Sequence, residues 1–114
     1  MVFDMGEGRS QRVFMFLAGE VGGAPIVEIT SPAADIKELG DKLDQDLMNE
    51  LLKLNSKALN YGWTIETIDA ESEYLCATSD QLLNSMDIGE LQVAVYAVAS
   101  AADEMETRFG LDNF

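Results

Sequence analysis

The chain has 114 residues, 47% of them apolar, and its 21 acidic against 7 basic side chains leave a formal net charge of −14. That length suits one domain able to bury about two thirds of its unfolded surface, and that apolar content argues against disorder. The charge disfavours nucleic acid and anionic membrane surfaces, since both need Lys and Arg to meet phosphate.

Histidine is absent, which removes Ser-His-Asp and Cys-His nucleophilic pairs and every His-containing metal site. An enzyme would have to work with carboxylates, Lys or Tyr, so catalysis is not the expectation, and no cofactor is expected. Cys76 is the single cysteine and has no internal disulfide partner, which fits a cytoplasmic setting. No apolar run approaches the ~20 residues of a membrane span.

In chain order, residues 1–5 are short and apolar-rich, and Gly6-Glu7-Gly8 reads as a turn. Residues 11–18 read as a strand, with Val13-Phe14-Met15-Phe16-Leu17 unbroken by a charge. Such a run predicts a strand covered on both faces. Residues 19–25, rich in Gly and closed by Pro25, break it before a strand over 26–31 that Ser31-Pro32 ends. Residues 35–40 read as a connector. From about Asp41 the period turns helical, with Leu43, Leu47, Leu51, Leu54 and Ala58 on one stripe, broadened by Met48 and Leu52, until Asn60-Tyr61-Gly62 stops it. Residues 63–68 and 73–79 read as a hairpin.

The last element is the best signalled. Asp87 suits a helix N-cap, Glu90 completes a capping box, and Met86 with Leu91 have the spacing of a hydrophobic staple. Arg108 and Gly110 mark the far end. Leu91, Val95, Val98, Ala102, Met105 and Phe109 recur at helical spacing, while Val93 and Tyr96 fall off that stripe and predict a second apolar face. The whole reads as a single α+β domain over residues 1–114, with an antiparallel five-stranded sheet in the order β-β-β-α-β-β-α.

Candidate sites are few. Asp41, Asp44, Asp46 and Glu50 are carboxylates of the kind that bind calcium or magnesium, but they lack the spacing of a calcium loop and suit the positive start of a helix better. Asp69, Glu71 and Glu73 read as a polar hairpin turn. The glycines at 6, 8, 19, 22 and 23 lead into no helix and make turns, not a phosphate cradle. Cys76 lies between Leu75 and Ala77 with no cation near in sequence, and reads as a small core residue. Trp63 and Tyr61 read as the seal of a core edge. Asn55, beside the leucine stripe, is expected to hydrogen-bond backbone of the connector or the hairpin if buried.

The segment Leu51-Leu52-Lys53-Leu54-Asn55, followed by Tyr61-Gly62-Trp63 and a hairpin, resembles the YbjN-like group of bacterial sensory transduction regulators. The strand ending Ile29-Thr30-Ser31-Pro32 is similar too, as is a closing helix bearing Leu91 and Ala101-Ala102-Asp103-Glu104-Met105-Glu106. The similarity spans roughly residues 9–109. It implies the fold of the type III secretion chaperones, which are small, acidic, usually dimeric proteins that bind other polypeptides.

Members of that fold usually begin with a helix ahead of the first strand, whereas this chain begins at Met1-Val2-Phe3. Part of the apolar surface of residues 13–17, or of Val93 and Tyr96, is then expected to lie uncovered and to meet a second subunit or a protein client. Val93, Tyr96, Phe14 and Phe16 are the expected contact residues. The functional expectation is a non-enzymatic polypeptide-binding protein, chaperone-like or regulatory. Its alternatives are a structural homodimer with no client and, more remotely, a carboxylate-based enzyme.

Overall fold

The computed structural model describes residues 2–6, 9–57, 60–69 and 71–110. The chain is α+β. Strands β1 (Val2–Gly6) and β2 (Arg9–Arg12) form a two-stranded hairpin of their own. Strands β3 (Phe14–Val21), β4 (Ala24–Asp35), β5 (Gly62–Asp69) and β6 (Ser72–Leu82) form an antiparallel sheet in the order β3-β4-β6-β5. Helix α1 (Ile36–Leu39) and a 3-10 turn (Gly40–Lys42) lead to α2 (Gln45–Asn55), and a 3-10 turn at Leu83–Ser85 leads to α3 (Ile88–Arg108).

The sheet therefore has four strands among the described residues, not the five read from the sequence. The reason lies at Val13. The stretch expected to be one strand over 11–18 is divided there: residues before Val13 pair with β1, and residues after it pair with β4. Val13 itself is buried in the core. Beyond Val13, β3 is an edge strand, and the expected cover on both faces is missing, since Met15, Phe16 and Leu17 are exposed.

Strand β4 runs past Ser31-Pro32, where a strand end was expected. A proline is tolerated there because β3 pairing stops at Thr30 and the ladder to β6 is bulged between Pro32 and Ala34. Two bonds tie this stretch to β2: Gln11 Nε2 donates to the Pro32 carbonyl at 2.7 Å, and Ser31 Oγ donates to the Arg12 carbonyl at 2.6 Å.

Residues directly paired across an antiparallel ladder share a face. One face carries Val27, Ile29, Leu75, Ala77 and Trp63, and these join Leu47 and Leu51 of α2 and Val95, Val98, Ala102 and Met105 of α3 in a single core. Helix α2 starts at Gln45, later than the expected Asp41, because Asp44 is its cap: its carboxylate accepts from Leu47 N–H at 2.9 Å. Met48 and Leu52 do not broaden the buried stripe; Leu52 is 66% exposed and overhangs Ile65 at the β5 edge. Ala58 lies outside the described residues.

Helix α3 has the expected ends. Asp87 accepts from Glu90 N–H at 2.7 Å, and Gly110 adopts φ +70°, the left-handed conformation that suits glycine. Its stripe from Leu91 to Phe109 packs on the core, as does Met86 ahead of the helix. No described helix is long and apolar enough to cross a membrane.

Candidate interaction surface

Residues 92, 96, 99, 103 and 106 follow one another at helical steps of four and three, and so form one flank of α3. In the second half of the helix this flank, Ala99, Asp103 and Glu106, is buried. In the first half, Gln92 and Tyr96 are exposed, Tyr96 by 72%. Besides β4 and β6, α3 packs against β1 and β2, and this hairpin supplies the second partner that a two-sided helix needs. Tyr96 is the last exposed residue of the flank before its buried half.

Val93 lies one turn before Tyr96 on the same side of α3. It is exposed and helps line an open groove of about 450 Å³ with Asn60, Gln81, Gly89, Glu90 and Ala94. Ile88, in the first turn, is exposed as well. The sequence reading of a second apolar face at Val93 and Tyr96 thus located residues that stay uncovered, while the flank that is covered carries two acids, Asp103 and Glu106.

The two phenylalanines belong elsewhere. Phe14 pairs with Thr30 and Phe16 with Glu28, so both lie on the sheet face opposite α2 and α3. Phe14 is half-buried and Phe16 is 45% exposed. The structure therefore separates the four expected contact residues into two sites, one on α3 and one on β3. Between them on β3, Met15 and Leu17 share the helix-side face with Ile29 and Val27, and Leu17 is 66% exposed.

The face without α2 and α3 has a polar floor. Thr78 Oγ1 lies 2.9 Å from Thr30 Oγ1 and 2.8 Å from Thr64 Oγ1, so one hydroxyl links three strands. Cys76 is fully buried beside them. Burial first, then the Glu66 and Glu28 carboxylates, push its thiol up to about 12, with hydrogen bonding from Thr30 opposing them. The thiol stays protonated and unreactive, as a core residue should. Glu28 is also pushed above the ordinary carboxylate range, by burial first and then by Glu66 and Asp80. Sequence reading missed this cluster because its three acids stand on three different strands, and only the strand register brings them together.

Three of the acids that the sequence singled out have places in the fold. Asp44 caps α2, Asp46 lies in its first turn, and Glu50 accepts a hydrogen bond from Arg108, tying α2 to the end of α3. Among the described residues, no group of three or more Asp, Glu or Cys side chains is placed to hold a metal ion. Trp63 is buried with Tyr61 edge-on to its ring at 6.0 Å between centroids, which is the seal expected of them. Compared with protein-family models and with curated proteins, the chain matches none.

Proposed function

We propose that this chain is a non-enzymatic polypeptide-binding protein, chaperone-like or regulatory, acting in the cytoplasm and related to the YbjN-like sensory transduction regulators. One observation carries the reading: α3 leaves large apolar side chains, Ile88, Val93 and Tyr96, in solvent along its first half, beside an open groove. Large exposed apolar groups clustered on one element mark interaction sites. The acidic shell around them would steer a basic client toward the site and speed its encounter. The type III secretion chaperone-like fold belongs to the same proposal. Its support is the succession of elements, with strand pairs before α2, one hairpin between α2 and α3, and α3 last.

A second reading, a homodimer-forming module, is favoured by β3, whose outer edge has no strand beside it among the described residues. A pull-down from cells of the source organism with wild type and Tyr96→Glu tests the client reading. A polypeptide retained by wild type and lost by the variant, with the circular dichroism spectrum unchanged, supports it. Identical eluates from the two proteins overturn it.

A further inference from the structure

We infer that the free edge of β5 takes up an extended segment of another protein, in which basic and apolar residues alternate, as an added strand of the sheet. The inference rests on the client part of the reading above, names the chemistry of the client and gives it a contact away from Tyr96.

The first position of that edge is already filled in a strand-like way. The N–H and C=O of Trp63 are met by the side-chain amide of Asn55 and not by β6. In an antiparallel ladder every second residue turns its main-chain groups to the same side, so Ile65 and Thr67 follow Trp63 outward. The pairing of β5 with β6 runs without a shift from Gly62 to Thr67. No described group bonds to the outward N–H or C=O of Ile65 or Thr67, and no described strand lies beside them. Two such N–H and C=O sets, about 7 Å apart along a strand, are the pattern that another extended main chain satisfies.

The two sides of the edge ask for different side chains. Ile65 pairs with Leu75 on the helix side, and Met48, Leu51, Leu52, Trp63, Ile65 and Leu75 line a cleft of about 80 Å³ there. Sites for drug-sized ligands hold about 300–1,000 Å³, so this cleft suits one aliphatic side chain. Leu52 and Ile65 are exposed beside it. Trp63 is buried in its wall, and the indole N–H has no acceptor among the described residues.

Glu66 pairs with Tyr74 on the opposite side. Residues opposite each other across a ladder share a face, so an added strand sets one residue by the cleft and the next beside Glu66. Residues 62–82 include five acids, Glu66, Asp69, Glu71, Glu73 and Asp80, while residues 58–107 include no Lys or Arg. The partner's residue beside Glu66 is therefore a Lys or Arg. Glu66 also helps to hold Glu28 above the ordinary carboxylate range, and a cation set beside it relieves that repulsion. A second copy of this chain does not suit the edge, since its own β5 would set acid against acid.

A fluorescein-labelled octapeptide of alternating Lys and Val is the probe, read by fluorescence anisotropy. Wild type is expected to bind it, with each Val facing the helix side and its N–H turned to β5. N-methylation at the valines is expected to weaken binding by about tenfold or more, because main-chain hydrogen bonds are lost. N-methylation at the lysines, whose N–H groups face away, is expected to leave it. In hydrogen exchange, the amides of Ile65 and Thr67 are expected to slow at saturation, while those of Thr64 and Glu66, already turned to β6, do not change. Glu66→Lys and Leu52→Gln are expected to bind several-fold more weakly with native circular dichroism. Tyr96→Glu is expected to bind the peptide as wild type does, whatever it loses in the pull-down, so the two readings fail separately. Absence of binding overturns the inference, as does equal binding of the peptide methylated at its valines. Binding lost in Tyr96→Glu but kept in Glu66→Lys and Leu52→Gln overturns it too.

Discussion

Asn55 holds the backbone of Trp63 at both ends of its polar reach. Its Nδ2 donates to the Trp63 carbonyl at 3.1 Å, and its Oδ1 accepts from the Trp63 N–H at 2.6 Å. The side-chain amide replaces a strand neighbour at the start of β5, the edge strand, and fixes where the chain re-enters the sheet after α2. Trp63 in turn fills the core between α2 and β6.

Removing that amide strands a donor and an acceptor in a partly buried place. Asn55→Ala is expected to destabilise the fold by about 2–3 kcal/mol, since each orphaned group costs about 1 kcal/mol or more. For a domain of this size that is a fall of roughly 8–12 °C in Tm. Asn55→Asp keeps the acceptor and loses the donor, and should fall between. Thermal melts of the three proteins check the order, and equal melting temperatures for wild type and Asn55→Ala refute it.

This clasp was legible in the sequence because it is local. A polar residue on the flank of a leucine stripe, eight positions before Trp63, has few places to go. The caps at Asp44 and Asp87 and the glycine stop at Gly110 were legible for the same reason, since each depends on residues within one turn. Val13 was not. The chain changes across it from Arg9-Ser10-Gln11-Arg12 to Phe14-Met15-Phe16-Leu17, but that the first part pairs with β1 and the second with β4 is decided by partners distant in sequence. Nor was the burial of Asp103 and Glu106, on a helix that packs against a hairpin far earlier in the chain. Composition cannot report which half of a flank is covered.

The two ends of α3 should differ in what they contribute. Asp87 satisfies an N–H that has no helical partner, so Asp87→Ala is expected to cost about 1 kcal/mol. Arg108 and Glu50 are both about half exposed, and an ion pair in water contributes little. Arg108→Ala is therefore expected to change stability by less than about 0.5 kcal/mol. Urea unfolding of both variants tests the contrast. A larger loss for Arg108→Ala would mean that the bridge between α2 and α3 carries the packing of both.

Cys76 gives a chemical readout of the sheet interior. With its thiol pushed up to about 12, its thiolate is scarce at pH 8, and it is fully buried besides. Labelling by a thiol reagent is expected to be slow in native protein and fast in urea. Because the folded value lies above that of a free thiol, the protonated group favours the fold. That contribution is whole below about pH 9 and declines as pH rises toward 12. Native labelling as fast as that of the unfolded chain would show that the sheet opens readily around β6.

Glu28 should make the protein respond to acid in an unusual direction at one position. It stands between Phe16 on β3 and Asp80 on β6, with the Glu66 carboxylate also near, and its charged form is disfavoured by burial before repulsion is counted. Its folded value is raised above the free one, so protonation favours the fold. The group's contribution is fully present below about pH 4.5 and is lost as pH rises through the raised folded value. Above that raised value the ionised carboxylate therefore weakens the native state. Glu28→Gln has the shape of the protonated acid without its titration, so it is expected to be more stable than wild type at pH 7. The two proteins should converge as pH falls through the range in which Glu28 takes up its proton. Urea midpoints at neutral and acid pH measure both. A Glu28→Gln protein that gains nothing at pH 7 would mean that the charge is already compensated by a cation the fold supplies. A gain that persists unchanged into acid would assign the effect to packing, and not to the charge.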